Sequence, residues 1–274
     1  MEKAVENLLG EFIKARRARV RPEEVGVRNY GRRRVPGLRR DELASLAGLS
    51  EPYLTRLEQG VDRHPSVQVL ESLAGALRLD PDAAAHLLAL ADPNPTRAPE
   101  PDLADDVQRL VDAWEAAPAY VRNRRFEVLA ANKLALALAD LYRPGRNLVR
   151  DLFLDPVNRR LFPDWAQIAQ QSVAALRAEA DPRDPRIVEL LAELRADADF
   201  ARMWALHDVR PVRDEIKRFD HPEVGRLELR RQALTIAGAE DQVIIVYQAA
   251  AQSPSAAALA RLSAPGPDAG WSDR

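Results

Sequence analysis

The stretch DELASLAGLSEPYLTRLEQG, Asp41–Gly60, holds two helical patterns around a glycine. Leu43, Leu46 and Ala47 fall at i, i+3 and i+4, which predicts the inward face of a first helix. Gly48 permits the left-handed backbone that ends such a helix, and Leu49 is the apolar residue of the turn. Ser50 is a good N-cap, with Glu51 and Pro52 in the first turn, where an acid and a proline are favoured. Leu54 and Leu57 then point inward, and Gly60 stops the second helix.

The outward stripe of that second helix is Pro52, Thr55, Arg56 and Gln59, at i, i+3, i+4 and i+7. An ordinary solvated face carries a mixture of lysine and glutamate. This one carries hydrogen-bonding groups and a methyl. Arginine can donate twice to guanine, glutamine can pair with adenine, and the threonine methyl can meet the thymine methyl. The stripe therefore suits a DNA major groove.

Charge distribution points the same way. The chain of 274 residues has a net charge of only −2. Gly10–Arg40, however, sets eleven basic residues against three acidic ones, a local +8 beside a remainder of −10. A basic block next to an acidic body is what a phosphate-binding module joined to another domain shows. Pro36 and Gly37 interrupt helix formation after Arg32–Arg34, placing those arginines on a loop, as phosphate clamps or as a minor-groove arm.

The length predicts about two domains. DPNPTRAPEPD, Asp92–Asp102, has four prolines in eleven residues and reads as the linker. The expected organisation is a helical domain over 1–91, a linker over 92–102, an α+β domain over 103–264 and a disordered tail over 265–274. In the second domain a helix from about Leu103 to Ala116 precedes two short strand-like runs around Val121 and Phe126–Leu129. Helical patterns follow at Lys133–Leu141, Trp165–Ala180, Pro185–Arg195 and Asp199–Leu206. Three longer strand-like runs, VRDEIKRFDH, GRLELRRQALTI and QVIIVYQA, come next, and a short helix after Ser253–Pro254 closes the domain. Asn132 and Asn147 read as local caps, and Trp165 as a core residue at a helix start.

No apolar run reaches the ~18 residues of a membrane span. The start MEKAVENLLGEF lacks the order of a secretory signal, and the absence of cysteine excludes disulfides and thiolate sites. The expected location is cytoplasmic, without membrane contact. None of the four histidines has HExxH spacing; the pairs His207–Asp208 and Asp220–His221 are a poor metal set. No G-x-S-x-G, P-loop or G-x-G-x-x-G is present, and GRNL and PGLRR hold too little glycine to cradle a phosphate chain. The expectation is a protein that is not an enzyme, with no cofactor and no metal.

The segment Asp41–Gly60, followed by HPSVQVLESLAGALRL, resembles the helix-turn-helix of the Cro/repressor-like transcription factors over about Leu8 to Leu90. The resemblance implies a lambda-repressor-like, all-α domain whose second motif helix enters the major groove. Glu51, Pro52, Thr55 and Arg56 would then face bases, with Gln59 on the same stripe, while Arg39, Arg40 and Arg63 would touch phosphate. It also implies Arg17 as the partner of Glu58, an acid at the edge of the buried face that needs one.

The whole chain resembles the MmyB-like regulators, through RRRVPGLRRDELASLAGLS, PAYVRNRRFEVLAANKLA, GRNLVRDLFLDP, LFPDW, HDVR, KRFDHPEVGRLEL and SPSAAALARL in that order. That family implies a PAS-like α+β second domain with an antiparallel sheet and a pocket for a small apolar ligand, a fatty acid being the model case. A fatty-acid site needs an apolar tube and a cation or donor pair at its mouth. Phe126, Leu129, Leu138, Phe153, Trp204 and Val246 are candidate walls, and His207 and Arg210 are candidates for the polar end. Arg210 can equally form a surface ion pair with Asp208 or Asp214. The expected partners are double-stranded DNA, that ligand and a second copy of the chain. The alternative is a second domain that only dimerises or docks a partner protein.

Overall fold

The computed structural model describes residues 7–27, 35–92, 105–211 and 215–263. The arginines of the 32–34 loop, most of the proline-rich linker, Asp214 and the tail lie outside the described residues. The chain forms two compact units: Met1–Ala98 with Arg202–Arg210, and Pro99–Ala201 with Pro211–Arg274.

The first unit contains α1 (Leu8–Arg19), α2 (Arg40–Leu46), α3 (Glu51–Glu58), α4 (Val67–Ala76) and α5 (Pro81–Ala91). Local chemistry sets the helix starts. The side chains of Ser50, Ser66 and Asp80 accept the N–H groups of Tyr53, Val69 and Ala83 at the heads of α3, α4 and α5. Gly48 turns the chain after α2 at φ +67°, the left-handed backbone its position requires. Ile13, Leu43, Leu54, Leu57, Leu73 and Leu87 are fully buried and form the core. Leu46 departs from expectation, being 40% exposed. Ala44, buried, completes the arc with Leu43 and Ala47. At about 100° per residue this centres the buried face away from Leu46.

The packing of α1 on α3 depends on Gly10. A Cβ there would lie 2.6 Å from the carbonyl oxygens of both Leu57 and Glu58. Asn7, which caps α1 by accepting the Gly10 N–H, donates to the same Glu58 carbonyl at 2.8 Å.

The second unit is built on a sheet of β1 (Ala119–Asn123), β2 (Val128–Ala131), β3 (Glu215–His221), β4 (Gly225–Ile236) and β5 (Ala239–Gln248). The order is β2-β1-β5-β4-β3 and every pair is antiparallel. The helices are α6 (Asp105–Asp112), α7 (Lys133–Leu138), α8 (Leu148–Leu154), α9 (Pro156–Leu161), α10 (Trp165–Glu179), α11 (Pro185–Leu194), α12 (Ala198–Trp204), whose residues from Arg202 onward belong to the first unit, and α13 (Pro254–Ser263). The sequence pattern had no separate reading for α8 and α9, each of which is short and capped by its own Asn147 or Asp155.

Strand alternation divides the sheet into two faces. Ala119, Val121, Ala130, Ile244 and Val246 pack on one side with Val111 of α6. The opposite side therefore carries Tyr120 and Arg122 from β1 and Ile245 and Tyr247 from β5. Register adds Arg231 opposite Tyr247 and Glu215 opposite Arg231. Lys217, two residues along β3, sits opposite Leu229.

Candidate DNA-binding and ligand-binding sites

On α3, Leu54 and Leu57 are buried, while Glu51, Pro52, Arg56 and Gln59 are exposed and Thr55 is half-buried. The stripe read from the sequence is thus presented outward on one helix. Thr55 donates its hydroxyl to the Glu51 carbonyl at 2.9 Å, which leaves its methyl to define the surface. Arg56 lies 5.8 Å over the Tyr53 ring and 3.0 Å from Asp62. Tyr53, half-buried beside the stripe, was not read as part of it; its spacing from Pro52 and Thr55 alone does not show that the ring supports Arg56.

The Arg17–Glu58 pair implied by resemblance is present. Arg17 donates from Nε to Oε1 at 2.7 Å and from Nη2 to Oε2 at 3.3 Å, and its Nη1 holds the Leu38 carbonyl at 2.9 Å. Glu58 is fully buried. Arg40 also reaches it, Nε to Oε2 at 2.8 Å. Arg40, expected from the resemblance to touch phosphate, thus commits its Nε to a buried carboxylate that one arginine leaves half-satisfied, while its side chain stays partly exposed. Arg39 is exposed, and its backbone N–H is taken by Glu42. Arg63 is exposed and turns its Nε back to the Gly60 carbonyl.

The predicted ligand-site residues do not converge. Leu129 and Val246 pack in the α6 cluster on one face of the sheet. Phe126 lies beneath the Arg122 guanidinium at 4.1 Å, Leu138 is buried in α7, and Phe153 packs edge-on with Trp165 and Phe200. Trp204, His207 and Arg210 belong to the first unit. There His207 tilts against Phe12, and the neighbouring Asp208 is held by Arg16 and Arg19. Arg210 is exposed.

What the second unit does gather is a buried polar group that periodicity could not reveal. Arg122, Lys217 and Arg231 are 2%, 9% and 7% exposed. Arg122 pairs with Glu179 at 2.8 Å, and Arg231 with Glu215 at 3.0 Å. Tyr142 donates to the Tyr247 hydroxyl at 3.0 Å, and Tyr120 stacks on Tyr142 at 4.6 Å. Burial pushes all three phenols up, those of Tyr142 and Tyr247 furthest, so they remain protonated. Lys217 is pushed down to about 7, first by burial, then by Arg231, with Arg122 adding to this and Glu215 opposing it. Tyr142, Phe162 and Glu179 close over this face from the helical side. The signal for it in the sequence was the alternation of charged with apolar residues in KRFDH and LELRR, which reads equally well as a solvated face.

A separate open groove of about 1140 Å³ is lined by residues of α6, α7, α13 and the end of β5, among them Trp114, Lys133 and Leu259. It contains none of the buried cations. Among the described residues no three His, Asp or Glu side chains gather to hold a metal, and no helix is long and apolar enough to cross a membrane.

The family model described as the MmyB-like transcription regulator ligand binding domain matches residues 103–262, and a helix-turn-helix domain model matches residues 8–87. A comparison with curated proteins finds no match. Neither matched domain is an enzymatic one. A helix-turn-helix that presents a hydrogen-bonding stripe and a ligand-binding domain of this type are thus joined on one polypeptide, and the chain belongs to the MmyB-like transcription regulators.

Proposed function

We propose that this regulator reads its operator with α3 and that its second domain binds a small apolar molecule bearing an acid group, a fatty acid being the model. The observation that supports the ligand reading is the buried row Arg122, Lys217 and Arg231 on one sheet face, with three phenols beside it. Enclosing three basic side chains against two carboxylates costs solvation energy, and an acidic ligand offsets that cost. In this reading the protein works as a two-fold dimer. Its two recognition helices then meet half-sites one helical turn apart, about 34–36 Å or a multiple of it. Occupancy of the ligand site alters the spacing of the two helices and so the affinity for the operator.

Denaturing extraction of the purified protein followed by mass spectrometry tests the ligand. Recovery of a stoichiometric aliphatic acid supports the proposal. Recovery of none, with no change in operator affinity on adding C10–C16 acids, overturns it in favour of a domain that dimerises or docks a protein.

A further inference from the structure

Among the buried basic groups of the second domain, Lys217 differs from its neighbours. Arg122 has Glu179 and Arg231 has Glu215. Among the described residues no carboxylate lies within ion-pair distance of Lys217, and its one close polar contact is with a ring face, Nζ standing 5.7 Å from the centroid of Phe162. It nevertheless keeps 9% of its surface, while Phe219 and Leu229 around it keep none, so solvent reaches this residue.

The groups that face it are few. Arg231 comes from β4, Glu215 from its own strand and Arg122 from β1. The hydroxyls on that face, from Tyr120, Tyr142 and Tyr247, are neutral. His221, on the same strand, is occupied by the Ala137 carbonyl and the Glu223 N–H. The two acids are already paired, so a protonated Lys217 adds a third, uncompensated positive charge to an enclosed site. A neutral amine removes that cost, as does an incoming anion.

We infer that Lys217 is the counter-ion for the ligand's carboxylate and that it takes up one proton from solvent as that carboxylate enters. The inference rests on the acid-ligand reading above and deepens it. The step balances: neutral amine, carboxylate anion and one solvent proton become an ammonium–carboxylate pair. Its consequence is specificity. An acid is drawn in with its proton, whereas an alcohol or ester of the same chain length gains nothing from Lys217. The depressed affinity of the lysine for protons in the empty site, about 7, makes the uptake visible just above neutral pH.

The test is calorimetry on the full-length protein with decanoate and with 1-decanol as probes, each at pH 6 and pH 8.5, in two buffers of different ionisation enthalpy. Decanoate should take up close to one proton per site at the higher pH and close to none at the lower; decanol should show no uptake at either. Lys217→Met should abolish the uptake and weaken decanoate about tenfold to a hundredfold, the value of one charge-assisted hydrogen bond. Lys217→Arg, charged at both pH values, should bind decanoate without uptake. Decanoate binding with no proton linkage at pH 8.5 overturns the role of Lys217 and leaves the ligand reading standing. Failure of both probes to bind removes the ligand reading itself, and this inference with it.

Discussion

Arg17 grips Glu58 with two nitrogens, Nε at 2.7 Å from one carboxylate oxygen and Nη2 at 3.3 Å from the other. Through that grip, α1 and the last turn of α3 become one rigid piece. Arg40 adds a third donor from α2. The carboxylate thus ties three helices together at a fully buried point. Since α3 carries the exposed stripe, the angle at which that stripe meets DNA is set by one acid. Glu58→Ala leaves two guanidiniums without their counter-ion and is expected to cost about 3–5 kcal/mol, the usual loss when one side of a buried pair is removed. Urea unfolding of the full chain measures it, and operator binding should fall in parallel.

Arg56 is exposed and, among the described residues, held only by Asp62 and the Tyr53 ring. Arg56→Ala should lose about 1–3 kcal/mol at one base position across an operator library, where a phosphate contact would lose equally on every sequence. Arg39→Ala provides the contrast. It should weaken all sequences alike and reduce the slope of affinity against salt by about one unit.

Lys217 gives the second domain a pH signature. Its affinity for protons is lowered from an ordinary 10.5 to about 7 in the fold. Between those values the unfolded chain binds a proton that the native state does not, so stability rises with pH, by at most about 1.4 kcal/mol per unit from this group. Below pH 7 both states are protonated and the native state carries the full penalty. Thermal unfolding between pH 6 and 9 should show the rise in the wild-type protein, while Lys217→Met should flatten it and raise the melting temperature at pH 6.

Asn132 was legible as a cap, and it is one, accepting the Ala135 N–H at 2.8 Å. Its oxygen also accepts from Ala119 at 3.1 Å, and its amide donates to the carbonyls of Trp114 and Ala117 at 2.9 and 2.8 Å. One side chain thus joins α7, β1 and the chain after α6. Asn132→Ala strands several buried groups and is expected to cost about 3 kcal/mol, well above the ~1 kcal/mol of a simple cap. Asn147→Ala, at the half-buried start of α8, where the side chain caps the helix and donates to the Arg125 carbonyl alone, is the natural comparison and should cost less.

The sequence by itself determined what depends on neighbours along the chain. The boundaries of α3, fixed by Ser50 and Gly60, were readable from it, as was the outward stripe, which follows from helical periodicity. The strand Gly225–Ile236 was readable too, because turn residues bound it and its apolar residues alternate. Tertiary structure decided everything that needed two distant segments. Leu46 and Ala44 exchanged places because the neighbouring helices, rather than α2 itself, choose the buried arc. Arg40 turned from solvent to Glu58 because a buried carboxylate has more acceptor sites than Arg17 can fill. HDVR, read as the polar end of the ligand site, lies in the first unit. Arg122, Lys217 and Arg231, the basic side chains buried on one face of the sheet, come from β1, β3 and β4, strands far apart in sequence or adjacent only through sheet register. A charged residue on an alternating strand looks the same in sequence whether water or a layer of helices covers that face, and only the packing of Tyr142, Phe162 and Glu179 above the sheet says which.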